Sequence, residues 1–274
     1  MTKKNSDVKV ALLISTYNWH QALKKCFESI LYQTLKPHEI LIADDGSTED
    51  TKFAIDDFRK KTSIPVRHIW QEDKGFRLSK IRNKAIAACT ADYIIQIDGD
   101  IIMESHFIED HIRLSEKEHF IVGSRALLNE DFSLKLIESQ CILDLKKLRS
   151  NCSNRLNAIR IPILTKLMAK NYKTKNKYKY YAKGCNMSFW RKSILKVNGY
   201  NEDINGWGSE DEELVARLLH LNERKLFLKF SGIAFHIWHP LASRQNSQSN
   251  NEIFENTINS KSYQAKKGID QYLQ

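Results

Sequence analysis

Tyr93-Ile94-Ile95-Gln96-Ile97-Asp98-Gly99-Asp100 is the stretch on which the reading of this chain turns. Ile94, Ile95 and Ile97 form a short apolar run of the kind that makes a buried parallel strand. The run stops at Asp98-Gly99-Asp100. Two carboxylates one residue apart cannot both be buried without partners, since an unpaired buried charge is strongly unfavourable. At the carboxyl end of a strand they lie where open α/β sheets bind ligands. Gly99 lets the backbone turn and aim both side chains at one point. Magnesium and manganese ions favour such oxygen ligands, often together with substrate phosphates. A tight turn carrying two solvated aspartates fits the same string, so the neighbouring sequence has to decide.

Upstream, Val8 to Ser15 reads as a first buried strand, ended by the polar Thr16-Tyr17-Asn18. Trp19 to Leu31 has helical spacing, with Leu23, Phe27, Ile30 and Leu31 on one face. Glu39 to Ala43 is a second strand, closed by Asp44-Asp45-Gly46-Ser47. Thr48 to Lys60 is helical, with Phe53, Ile55 and Phe58 apolar; Pro65 to Trp70 is a third strand; Leu78 to Cys89 is a helix. Strands and helices alternating through such short connections predict an α/β fold with a doubly wound, mostly parallel sheet. The polar ends of the first, second and fourth strands then share one rim, and their motifs converge on one crevice.

Downstream the alternation weakens. Phe107 to Glu118 suggests a helix and Phe120 to Gly123 a strand, while residues 129–180 show no sheet pattern. The pattern returns at Lys183-Gly184-Cys185-Asn186 and at Gly206-Trp207-Gly208-Ser209-Glu210-Asp211, which opens an amphipathic helix through Leu214, Leu218, Leu219 and Leu221. Residues 225–239 are strand-like and end in His236-Ile237-Trp238-His239. This divides one domain of 274 residues into a first half at 1–128, a basic insert at 129–181, a second half at 182–241 and a polar tail at 242–274.

Composition narrows the class. A hydrophobic content of 42% with 4 Pro and 10 Gly is globular. No run approaches the roughly 18 apolar residues of a membrane span. Met1 to Asp7 has no leader-like apolar region, and five scattered cysteines (26, 89, 141, 152 and 185) suit free thiols in a reducing cytoplasm. The net charge of +10 is local: residues 145–183 hold 12 Lys/Arg and no Asp or Glu, leaving 31 basic against 33 acidic residues elsewhere. An anionic membrane, a phosphorylated substrate or a nucleic acid would suit that segment, as would a solvated loop.

Each candidate residue has a structural and a functional reading. Asp45 suits the imide N–H of a nucleobase, with Ser15 and Tyr17 beside it, but it also suits helix capping. Arg77 and Lys80, with Asn83, could meet phosphate or form a solvated helix face. Trp207 between two glycines offers a flat apolar face of the kind sugars stack on. Glu210 and Asp211 follow at a helix start, where the dipole favours anions and a carboxylate could act as general base. His236 and His239 could complete a metal site begun by Asp100, or pack against each other.

Together, Ser15-Thr16-Tyr17-Asn18, Asp44-Asp45-Gly46-Ser47 and Asp98-Gly99-Asp100 resemble the nucleotide-sugar half of a family 2 glycosyltransferase of GT-A fold. Gly206-Trp207-Gly208-Ser209-Glu210-Asp211 resembles the acceptor motif of the branch containing β-1,4-galactosyltransferases and bacterial chondroitin-type polymerases, with Ser209 where the animal enzymes usually have Gly. The resemblance covers residues 8–128 and 182–240. It implies that Asp45, Ser15 and Tyr17 hold uracil and that Asp98 contacts the ribose or donor sugar. Asp100, with His239 favoured over His236, would bind a divalent metal, Mn or Mg. Gly184 would line the donor sugar, Trp207 would carry the acceptor, Glu210 would grip it, and Asp211 would act as base for inverting transfer. The implied partners are a UDP-sugar, galactose or N-acetylgalactosamine in particular, and a glycan or lipid-diphosphate-linked glycan. The basic segment and its tyrosines (172, 178, 180 and 181) would rest on the inner membrane face, peripheral to a cytoplasmic enzyme. A nucleotidyltransferase would need a glycine- and lysine-rich phosphate loop where this chain has Ser15-Thr16-Tyr17-Asn18. A nucleic-acid-binding role for 145–183 would leave the convergent carboxylates unexplained, so no nucleic acid is expected.

Overall fold

The computed structural model describes residues 8–139, 143–240 and 246–273. Cys141, residues 1–7 and the start of the polar tail at 241–245 lie outside the described residues, and so do the expectations that fall on them. The first half alternates as expected: β1 (Val10–Thr16), α1 (His20–Leu31), β2 (Glu39–Asp44), α2 (Glu49–Arg59), β3 (Val66–Trp70), α3 (Leu78–Ala88) and β4 (Tyr93–Asp98). There follow β5 (Ile101–Met103), α4 (Phe107–Leu114), β6 (His119–Gly123), β7 (Arg125–Leu127), α5 (Glu130–Glu138), α6 (Leu145–Ser150) and α7 (Pro162–Met168). The chain continues through β8 (Met187–Trp190), α8 (Arg191–Lys196), α9 (Glu210–His220), β9 (Arg224–Leu228), β10 (Ala234–His236) and α10 (Ser247–Ser260).

Seven strands form the main sheet in the order β3-β2-β1-β4-β8-β6-β9. Only β8 runs antiparallel to its neighbours within it. β1, β2 and β4 read as unbroken apolar runs because both faces are covered. On one face Leu13, Leu41 and Ile94 pack with Ile81 and Ala85 of α3 and Leu214 and Leu218 of α9. On the other, Leu12, Ile14, Ile42 and Ile97 pack with Leu23 and Phe27 of α1, Phe58 of α2 and Phe107 of α4. Each such side chain contributes about 1.5–3 kcal/mol on burial. Leu31 and Phe53 lie off these stripes and are exposed, and α4 stops four residues short of Glu118.

The chain moves outward from β1 to β3 and returns to β4 on the far side of β1, so the strand order reverses between β1 and β4. Across this pair Ser15 lies opposite Asp98. Such a reversal opens a crevice at the carboxyl ends of the strands. A second sheet, β5-β10-β7, sits beside it and sets His236 opposite Ile101, one residue after Asp100.

Two regions take a form that the sequence pattern leaves open. The insert is helical in short pieces, and its tyrosines are not presented to an interface. Tyr172 and Tyr181 pack on Phe227, with Lys173 Nζ 5.1–5.7 Å from the rings of Tyr172, Tyr178, Tyr181 and Phe227. Tyr180 meets Phe254 of α10. The polar tail is the helix α10, which packs against α9 and is followed by a helical turn at Ile269–Tyr272 against α3. No helix among the described residues is long and apolar enough to cross a membrane.

Candidate active site

A cleft of about 1320 Å³ opens along the carboxyl rim of the sheet. At one end, the adjacent carboxylates of β2 divide their work. Asp44 accepts from Ser47 N at 2.8 Å and meets His68 Nε2 at 2.8 Å, closing the turn. Asp45 faces the cleft, its carboxylate fixed by Gln71 Nε2 at 2.6 Å and the Arg77 backbone N–H at 2.7 Å. Burial raises the Asp45 carboxyl, against those hydrogen bonds. Tyr17 is half exposed at the mouth and donates to Asp73 Oδ2 at 2.8 Å.

Three basic side chains line the cleft, Arg125, Lys183 and Arg82, the last one turn beyond Leu78 on α3; Arg77 and Lys80 do not line it. The Arg77 guanidinium instead donates to the Glu72 carbonyl. Arg82 is 1% exposed and spans three elements. Its Nε donates to Ser15 Oγ on β1, its Nη2 to Asp98 Oδ1 on β4 and its Nη1 to Asp211 Oδ1 on α9, each at 3.1 Å. Its other side lies 5.2 Å from the Tyr200 ring. The sequence carried a signal for it. Leu78, Ile81, Ala85 and Ile86 make the buried stripe of α3, and Arg82 sits inside that stripe, where a solvated charge has no place. Asn83, also buried, holds the backbone of Tyr200 at both N and O and so supports the cleft from behind.

Asp98 and Asp100 diverge. Burial pushes the Asp98 carboxyl up to about 6, with Arg82 opposing. Asp100 Oδ2 lies 3.3 Å from both His236 Nε2 and His239 Nε2. One ligand atom from each of these three residues falls within 4.8 Å of the others. Although burial acts to raise it, the two imidazoles hold the Asp100 carboxyl below its ordinary value. Burial lowers His236 to about 4, whereas the bond to Asp100 raises His239. His239 Nδ1 lies 2.7 Å from the Pro240 carbonyl, which can only accept, so Nδ1 donates there and Nε2 is the nitrogen directed at Asp100. Asp100 Oδ1 is buried with no hydrogen-bond partner. One carboxylate with an unsatisfied oxygen and two imidazoles make a donor set that suits manganese or a similar borderline ion better than magnesium, which prefers oxygen throughout.

At the opposite wall, Gly184 donates its N–H to Asp211 Oδ2 at 2.6 Å, and its carbonyl accepts from Gln96 Nε2 at 3.0 Å. A Cβ at Gly184 would lie 2.5 Å from Asp211 Oδ1 and 2.8 Å from Arg82 Nη2, so any side chain there would displace the Asp211 carboxylate and the Arg82 guanidinium. Tyr200 Oη donates to Gln96 Oε1 at 3.0 Å behind this loop. Burial and the neighbouring Asp211 push the Glu210 carboxyl up to about 8, and burial takes Glu212 to about 7. Glu210 Oε2 accepts from Gly208 N at 3.0 Å. Gly206, Gly208 and Ser209 all have left-handed backbone, with φ of +77°, +109° and +69°, and this run sets Trp207, 39% exposed, on the cleft wall. Asn250 of α10 donates to the Asn205 carbonyl at 2.9 Å and to that of Trp207 at 3.4 Å, bracing the loop from behind.

The cleft therefore brings together Ser15, Tyr17, Asp45, Asp98, Asp100, Gly184, Trp207, Glu210, Asp211, His236 and His239, and leaves Arg77 and Lys80 aside. Chemically it offers a hydrogen-bonding carboxylate at one end, a cation-binding cluster in the middle, and paired carboxylates beside an indole at the other.

The sequence profile of glycosyl transferase family 2 matches residues 11–194, and that of the N-terminal domain of galactosyltransferase matches residues 165–240. A hyaluronan synthase of Pasteurella multocida is 26% identical over 251 residues, which is 85% of this chain and 25% of that protein. A chondroitin synthase of Escherichia coli is 23% identical, covering 76% of this chain and 32% of its own. The chain thus spans about a quarter to a third of the length of these relatives. Among solved structures, Staphylococcus aureus TarS 1-349 in complex with UDP superposes with a TM-score of 0.63 at 13% identity, over 96% of this chain and 68% of that one. The mannosyltransferase PcManGT of Pyrobaculum calidifontis, in complex with GDP-Man and Mn2+, gives 0.57 at 15% identity, over 84% and 57%. At such identities the likeness is one of fold, and it is the GT-A fold.

Proposed function

The chain belongs to glycosyltransferase family 2, and from that premise we propose that it moves a sugar from a UDP-sugar to a hydroxyl of a glycan, with inversion at the anomeric carbon. The observation that carries the proposal is the Asp100–His236–His239 cluster, with its unsatisfied Asp100 oxygen, in the same cleft as Asp45 and Asp211. Asp45, Ser15 and Tyr17 receive the uracil end. Asp98 faces the ribose or donor sugar, and Gly184 lines the sugar's position. Asp100, His236 and His239 hold a divalent cation, which supplies charge neutralisation at the leaving diphosphate when bound. Trp207 gives the acceptor its platform and Glu210 grips it. Asp211 takes the proton from the attacking hydroxyl: its Oδ2 keeps a second lone pair beyond the bond from Gly184 N–H, while Oδ1 accepts from Arg82. Arg82 holds Asp98 and Asp211, and hence the donor and acceptor walls, in register.

Hyaluronan and chondroitin synthases among the relatives support a cell-surface polysaccharide as the product class, and the galactosyltransferase profile supports galactose or N-acetylgalactosamine as the first donors to try. A glycan or lipid-diphosphate-linked glycan is the corresponding acceptor. The test is UDP release from a panel of UDP-sugars with and without Mn2+, together with calorimetric Mn2+ binding. UDP release that depends on Mn2+ is expected for one donor. In Asp100→Asn, release should vanish and Mn2+ affinity should fall by more than about 100-fold, the upper range for loss of a mere outer-shell partner. Binding of no UDP-sugar, or unchanged Mn2+ affinity in Asp100→Asn, would overturn the proposal.

A further inference from the structure

The basic insert turns an apolar surface outward. Leu156, Ile159, Ile161, Ile163, Leu164 and Leu167 lie within twelve residues of one another, and all are exposed, Ile163 at 76% and Leu167 at 72%. The helix α7 is inverted relative to an ordinary surface helix. Thr165 and Ala169, four residues apart, face inward. Thr165 Oγ1 donates to the Lys229 carbonyl at 2.6 Å. Ile163 and Leu167, also four apart, form the outward face. The preceding stretch hangs on the same turn: Ile161 N donates to the Phe230 carbonyl at 2.7 Å, and Lys229 Nζ to the Leu156 carbonyl at 3.1 Å. The apolar side chains are therefore carried on a base fixed by backbone and side-chain hydrogen bonds. Exposed apolar groups held this way mark an interaction site rather than a segment awaiting a core.

The charge around them selects the partner. Arg155 and Lys166 are exposed within the patch, and Lys146, Lys147 and Arg149 are exposed on α6. Across residues 145–183 there is no acidic residue to offset them. Apolar side chains interspersed with cations match the boundary between lipid headgroups and acyl chains in an anionic bilayer. We propose that the surface formed by α7 and residues 156–161 docks the enzyme on an anionic membrane, with Ile163 and Leu167 entering the headgroup boundary. This goes beyond the transfer reaction and does not depend on it, because docking is measured without substrate.

The experiment is sedimentation of the whole chain with vesicles of phosphatidylcholine alone and of phosphatidylcholine mixed with phosphatidylglycerol, at low and high salt. Binding to the mixed vesicles that weakens with salt is expected. Ile163→Ser/Leu167→Ser should lower the partition coefficient by about tenfold or more, since two apolar side chains no longer leave water. Thermal unfolding should be unchanged, because neither side chain has a core contact to lose. No sedimentation at low salt would overturn the proposal, as would undiminished binding of the double variant. A dimer in sedimentation velocity that the same substitutions convert to monomer would also overturn it, assigning the surface to a second copy.

Discussion

Replacing Arg82 by Met tests whether the two walls of the cleft are held together by one charge. The substitution keeps the length of the side chain and its apolar stem but removes three hydrogen bonds, two of them to carboxylates. A guanidinium and a carboxylate about 4 Å apart, charge to charge, attract by about 4 kcal/mol at an effective dielectric constant of about 20. The Asp98 side chain is 34% exposed, so solvent reduces its share to about 1 kcal/mol. Asp211 is 13% exposed and loses more, because its charge stays behind in the cleft floor. Breaking a buried pair by removing one partner costs about 3–5 kcal/mol. Relief from burying the guanidinium places the expected loss near the lower end, about 3 kcal/mol, or a fall in Tm of roughly 6–10 °C. Urea unfolding of wild type, Arg82→Met, Asp211→Asn and the double variant measures it. Asp211→Asn should restore part of the loss in the Arg82→Met background, giving a coupling of about 1–3 kcal/mol. Arg82→Lys should recover only part, since one ammonium cannot reach three acceptors arranged around a planar fork. A loss in Arg82→Met below about 0.5 kcal/mol, or strict additivity with Asp211→Asn, would refute the reasoning.

Two further outcomes follow from the same geometry. Gly184→Ala forces a Cβ against Asp211 and Arg82, so UDP-sugar turnover should collapse while stability falls by only about 1–3 kcal/mol; retained turnover would show that the loop can withdraw without cost. The Glu210 carboxyl, raised to about 8 by burial and Asp211, contributes stability that is fully present below its unfolded value near 4.5 and is lost as pH rises through 8. Wild type should therefore lose stability to urea between pH 6 and pH 9, and Glu210→Gln should flatten that decline; parallel curves would remove Glu210 as its source.

Most of the donor half was legible because buried parallel strands leave contiguous apolar runs, and β1, β2 and β4 each end such a run in polar residues. The Trp207 loop was legible because two glycines around a tryptophan are uneconomical unless the backbone must be left-handed there. The insert was not, since α6 and α7 are 6 and 7 residues long, too short to display a period. Its tyrosines suggested an interface, but they have Phe227 and Lys173 as partners from elsewhere in the chain. The helix α10 is not announced by the sequence because its fixed points are polar, an amide at Asn250 and a hydroxyl at Thr257, where a hydrophobic stripe would ordinarily mark a packed helix. Arg82 escapes the sequence pattern because a cation on a helix ordinarily belongs to the wet face. The small sheet that delivers His236 to Asp100 depends on a pairing between residues more than 130 positions apart, which local pattern does not reveal.

The bracing of the Trp207 loop by α10 has an evolutionary consequence. Neither family profile extends beyond residue 240, and the amides that hold Asn205 and Trp207 in place come from beyond that point. The contour of the Trp207 wall can therefore drift through substitutions in α10, which also lines the cleft with Ser247, Asn251 and Phe254. On the acceptor role proposed for Trp207, lineages built on this arrangement can diversify the glycans they recognise while the donor chemistry stays fixed. Exchanging α10 between homologues would be a direct way to move that preference from one enzyme to another.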